Sequence, residues 1–146
     1  MKLIKRLTDL ILAQRIFLHN IHLLSISNSD HKLAEELEDD LMDFVDDVKE
    51  ISLYVYPNQE SIAYANETAQ GALDILKQIP SQPLPIDELF SYSLQIFEEI
   101  IKTSYEIDVQ ETNNIQSFGL RNLVQDIAEQ CSKKGYRLKQ RLKEER

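Results

Sequence analysis

Tryptophan is absent from this chain, cysteine occurs once, and glycine and proline number only 3 and 4 in 146 residues. A β-sandwich or barrel needs a turn about every ten residues, and so few turn formers cannot supply them. The lone Cys131 permits neither a disulfide framework nor a thiolate metal cluster, and its expected role is that of a small buried hydrophobe. Long uninterrupted apolar runs are missing too. Near the start, Lys2, Lys5 and Arg6 precede an apolar stretch that Asp9, Gln14 and Arg15 interrupt, and no small-residue cleavage site follows. Neither a signal peptide nor a membrane span is expected, and the reducing cytoplasm is the default compartment. Positive charge is also scarce. Against 25 Asp and Glu stand 16 Lys and Arg, a net charge of −9 and a pI near 4.8. That balance argues against nucleic-acid binding by the whole surface and suits a protein that attracts cations or simply stays soluble.

What is present reads as one globular domain over residues 1–146, with 42% apolar and 28% charged residues. Residues 3–27 form a helix: Leu3, Leu7, Leu10, Phe17, Ile21 and Leu24 recur near the helical period. Ile4, Ile11, Leu12, Ile16 and Leu23 lie off that stripe, and a helix apolar on two sides is buried on two sides, which hints at a subunit interface. Ser29 or Asp30 is placed to cap a second helix, from about residue 30 to Tyr56, where Pro57 stops it. Its core stripe is Leu33, Leu37, Leu41, Phe44, Val48, Ile51 and Val55. A short helix over 67–79 precedes an extended connection through Pro80, Pro83 and Pro85. Pro85, Asp87 and Glu88 suit the start of a third helix, which Leu89, Ile96, Phe97, Ile100 and Ile107 carry to about Asp108. Thr112, Asn113 and Asn114 offer caps for a fourth, with Ile115, Leu120, Val124, Ile127, Cys131, Leu138 and Leu142 on its apolar face. The expected fold is all-α, a four-helix bundle with a small extra helix in the middle connection. Residues 133–146 carry a net +5, which leaves −14 on residues 1–132.

All three histidines, His19, His22 and His31, fall in the first 31 residues, and the second helix supplies nine acids between Glu35 and Glu50. Histidine with carboxylate is the ligand set of non-haem iron, manganese or zinc. At about 100° per residue, with His31 at zero, Glu35 falls near 40°, Asp46 near 60° and Glu50 near 100°. The apolar stripe centres near 240°, almost opposite. Such a site points away from the core. One subunit offers it only to water, and dense coordination requires a second subunit.

These residues carry a resemblance. Leu18-His19-Asn20-Ile21-His22 is similar to the Leu-His-x-x-His segment near the end of the first helix of Dps-like mini-ferritins. The family's second-helix pattern is a His, an acid four residues on, an Asp eleven further and a Glu four further. His31, Glu35, Asp46 and Glu50 satisfy every step. The resemblance implies a ferritin-like four-helix bundle that assembles as a hollow homododecamer. Ferroxidase sites shared at two-fold interfaces would take His22, His31 and Glu35 from one subunit and Asp46 and Glu50 from its partner. Fe²⁺ would be oxidised there by peroxide or oxygen, and the ferric product stored in the cavity. The family usually has Asp where Glu35 stands and an aromatic residue where Leu23 stands. Its segment between the two histidines is longer, and a Gly-Gly follows its second helix. Two other expectations stand beside this one: a ferritin-like assembly serving as a structural or interaction protein without ferroxidase chemistry, and a DNA-compacting protein acting through Lys133 to Arg146. For that basic end, the reading as a helix terminus suited to the negative end of the dipole is preferred over DNA binding.

Overall fold

The computed structural model describes residues 1–58, 60–110 and 118–144. It is all-α: six helices and no strand occur among the described residues. They are α1 (Lys2–Leu24), α2 (Asn28–Glu38), α3 (Leu41–Val55), α4 (Ser61–Leu76), α5 (Ile86–Gln110) and α6 (Phe118–Glu144). No described helix is long and apolar enough to cross a membrane. The proposed caps Thr112, Asn113 and Asn114, and Ile115, lie outside the described residues.

Helix α1 is the centre of the molecule. It packs against α2, α3, α4 and α5, while α6 lies along α5 and touches α3. Ile4 and Ile11 are fully buried, and Leu12 and Ile16 are half-buried. For these four off-stripe residues the expectation of a subunit interface is therefore corrected, because α1's own chain covers them; the fifth, Leu23, is exposed. The cover on the second side is α4, which begins six residues before the short helix expected over 67–79. Its buried face, Tyr64, Thr68, Ala72 and Ile75, holds one hydroxyl-bearing threonine and one alanine, so hydrophobic periodicity shows it poorly. The Thr8 and Tyr64 hydroxyls meet at 3.0 Å and tie α4 to α1. On the other side Gln14 donates to the Ser93 carbonyl (2.7 Å) and accepts from the Ser93 hydroxyl (3.1 Å), which satisfies a buried amide between α1 and α5. Cys131 is fully buried on α6, and burial pushes its thiol up to about 12, as expected of a small core hydrophobe.

The single second helix expected over residues 30–56 is two helices. Asp39 and Asp40 separate them, and Asp40 is the one non-glycine residue with positive φ among those described (68°). Glu35 and Asp39, Glu36 and Asp40, and Asp39 and Asp43 are like charges four residues apart, each unfavourable in a continuous helix. Aspartate also tolerates the left-handed region better than most residues. The cap of α2 is Ser27, not Ser29 or Asp30: its hydroxyl accepts from the Asp30 amide at 3.4 Å.

Candidate metal centre

A three-residue turn, Ser25-Ile26-Ser27, joins α1 to α2. The Ser25 amide and hydroxyl both donate to the Ile21 carbonyl, at 2.9 and 2.6 Å, which closes the last turn of α1. The turn folds α2 back, so His22 in the last turn of α1 faces His31 in the first turn of α2. Their ring centroids are 4.0 Å apart at 65°. Glu35 follows His31 by one helical turn. One ligand atom from each of His22, His31 and Glu35 lies within 4.8 Å of the other two. The histidines are half-buried and Glu35 is exposed, so the group is anchored at its back and open at its front.

Hydrogen bonding decides which lone pairs are free. His31 Nδ1 lies 2.8 Å from the His22 carbonyl oxygen. A carbonyl only accepts, so Nδ1 carries the proton and Nε2 keeps its lone pair for a cation. Nδ1 of His22 is buried without a hydrogen-bond partner. A buried ring nitrogen left in that way costs stability unless something occupies it, and a cation would. Two imidazoles and a carboxylate are the donor set of a 2-His-1-carboxylate site, which takes iron, manganese or zinc.

Asp46 and Glu50 belong to α3 and are exposed. They do not join His22, His31 and Glu35 within this chain. The helical-wheel reading put all four second-helix residues on one stripe. The break at Asp39 and Asp40 divides that stripe between two helices, and what survives is that Glu35, Asp46 and Glu50 all face outward. Sequence reasoning missed Glu38. It pairs with His19 at 3.1 Å through Oε1, while its Oε2 is buried without a partner. Only the acid run itself signalled it. Glu35 and Glu38 also line an open cavity of about 590 Å³ with Asp39, Asp43, Arg15 and Lys32, whose acids outnumber its bases. A negative mouth of that kind raises the local cation concentration.

Three bases of the chain's basic end are engaged by α2. Arg137 pairs with Glu36 and holds that carboxyl below its usual range. Arg141 forks onto both oxygens of Asp30 (2.7 and 2.9 Å) and reaches Asp87 of α5 at 2.9 Å. Lys134 donates to the carbonyls of Glu36 and Asp39 at 3.3 and 3.0 Å, and burial lowers its pKa. These three side chains engage α2, with that of Arg141 largely buried and that of Arg137 half-exposed. Compared with protein-family models, with curated proteins and with solved structures, the chain matches none.

Proposed function

We propose that this chain is the subunit of a ferritin-like, Dps-like mini-ferritin that binds Fe²⁺ and oxidises it with peroxide or oxygen. In this reading α1, the broken α2–α3 tract, α5 and α6 are the four helices of the bundle, and α4 is the extra helix of the middle connection. The observation that carries it is the open convergence of His22, His31 and Glu35, with Asp46 and Glu50 outward on α3 and unable to close the site in their own chain. A two-fold related copy supplies the missing pair, since an isologous contact presents each subunit's α3 to the other's half-site. Support for self-association comes from Leu23, Leu24 and Ile26, which are 64%, 70% and 102% exposed immediately beside His22. Three large apolar side chains at one turn invite a cover.

Iron is the substrate. Each Fe²⁺ gives up one electron, so two ions and two protons convert one peroxide molecule to two waters. The imidazole nitrogens and carboxylate oxygens bind the ions, and the carboxylates stabilise the ferric charge as it forms. The product collects in the hollow homo-oligomer, a dodecamer by the resemblance, and peroxide is removed in the process.

The test mixes two lesions. His31→Ala and Asp46→Ala particles are each expected to lose most of the initial rate of Fe²⁺ oxidation while staying folded. Co-assembled at random, they regain about a quarter of the wild-type sites, because half the interfaces pair unlike subunits and one of the two sites there is intact. No regain on mixing places the site within one subunit. Wild-type protein that oxidises no iron overturns the ferroxidase reading in favour of an assembly without chemistry. Asp47→Ala, exposed on α3 and lining neither the cluster nor the acidic cavity, serves as the control and keeps nearly full activity.

A further inference from the structure

Helix α2 brings two of the three converging ligands, yet little holds it from within. It has 11 residues, short for a stable isolated helix, and only Asp30, Ala34 and Leu37 of them are buried. Besides its packing on α1, what grips it is one face of α6. Lys134, Arg137 and Arg141 stand three and four residues apart, the spacing of a single helical stripe. Arg141 takes the first turn of α2 through a bidentate pair with Asp30, the residue before His31; the side chains of both partners are about nine-tenths buried (11% and 8% exposed). It also joins Asp87 and lies over the Phe90 ring at 5.4 Å, so α2, α5 and α6 meet at one guanidinium. Lys134 takes the other end. Its ammonium caps the Glu36 and Asp39 carbonyls, which the break at Asp40 leaves without continuing helical donors. Arg137 holds Glu36 between them.

We propose that Lys134 and Arg141 are positioning residues for the cation site: clamped at both ends, α2 is fixed in register along α1, which sets His31 and Glu35 against His22. The proposal rests on the reading of that cluster as a cation site and assigns the basic cluster of α6 to its support. A bidentate guanidinium fixes orientation as well as distance, so a lysine in place of Arg141 would not reproduce the contact.

The sign of the effect separates positioning from plain electrostatics. Removing a positive charge near a cation site strengthens cation binding by Coulomb's law. Loosening the helix that carries two ligands weakens it, by about ten- to a hundredfold on the scale of supporting residues at metal sites. The experiment titrates Co²⁺ into the purified particle and follows both affinity and the visible absorption of the bound ion. Arg141→Gln is expected to weaken binding at least about tenfold and to alter the band. Lys134→Met keeps the stem and loses the ammonium, and is expected to weaken binding severalfold should Arg141→Gln fail to fold. Val124→Ala is the control. It truncates the core of α6 ten residues from Lys134, about 15 Å along the helix, and should lower thermal stability while binding Co²⁺ as wild type does. Equal or tighter binding by both clamp variants overturns the proposal, as does an equal loss in Val124→Ala. If wild type binds no Co²⁺, the cation reading fails by itself, and amide exchange over residues 28–38 then decides the clamp. Faster exchange there in the two clamp variants, and not in Val124→Ala, sustains it; unchanged exchange overturns it.

Discussion

Asp9 shows how one half-buried carboxyl makes the whole molecule respond to pH. Its side chain lies directly against α4: a Cβ on Gly71 would fall 2.0 Å from Oδ2, so only glycine there leaves room for it. Oδ1 is buried without a partner, and loss of water raises the pKa from 3.8 to about 7. Arg6 and Lys5 oppose that rise, while Asp74 and Glu67 of α4 add to it. The folded state keeps a proton that the unfolded chain releases, so this group costs stability progressively as pH climbs from 3.8 towards about 7. Below that window it contributes nothing, and above it the cost is complete. Asp9→Asn keeps the shape and removes the charge. Its melting temperature should match wild type near pH 4 and exceed it at pH 8, by thermal scans at one protein concentration. A lower value at pH 8 would mean that the ionised carboxyl has a partner among the flanking bases.

At the scale of elements, the informative feature is the break between α2 and α3. An unbroken helix would carry Glu35, Glu36, Glu38, Asp39, Asp40 and Asp43 around one surface. The break separates those charges and exposes carbonyls that Lys134 takes up. The cost is Asp40 at φ 68°, a conformation worth about 1–2 kcal/mol for an ordinary L-residue and less for Asp. Asp40 makes no side-chain cap hydrogen bond to α3, so what its carboxylate contributes is its attraction for the Lys134 ammonium. Asp40→Gly relieves the strain and gives back part of the gain through the extra freedom of the unfolded glycine. A net stabilisation of a few tenths to about 1 kcal/mol is expected, read as a rise in urea midpoint with unchanged slope. A fall in midpoint would show that Asp40 is held by its charge and not merely tolerated.

For the whole molecule, charge and exposed apolar surface point the same way. The chain carries −9, and Lys134, Arg137 and Arg141 are paired with α2. Phosphates would have to displace those partners, against a particle that repels them. In solution the protein should scatter as a closed oligomer far above 17.0 kDa and leave duplex DNA unshifted at physiological salt. A 17.0 kDa species at micromolar concentration would remove the shared site, and a DNA shift abolished by truncation after Ser132 would return the basic end to nucleic-acid binding.

Local chemistry was enough to show that the chain is helical, where most helices lie, and that Cys131 is core. Scarce glycine and proline, apolar residues near every third or fourth position, and Pro57 and Pro85 at helix edges act over a few residues and need no fold to be seen. The spacing from His31 to Glu50 is likewise a property of the chain, and it marked the ligand candidates. Contacts between distant residues are another matter. That α4 covers the second face of α1 depends on Tyr64 meeting Thr8, 56 residues away. The carbonyls left open where one helix becomes two are met by Lys134, some 95 residues beyond Asp39. And that His22 faces His31 while Asp46 and Glu50 stand on a separate helix depends on a three-residue turn and a left-handed Asp40, neither of which any periodicity encodes. Propensity acts along the chain, whereas burial and ion pairing act through space, and the candidate site is built from the second kind.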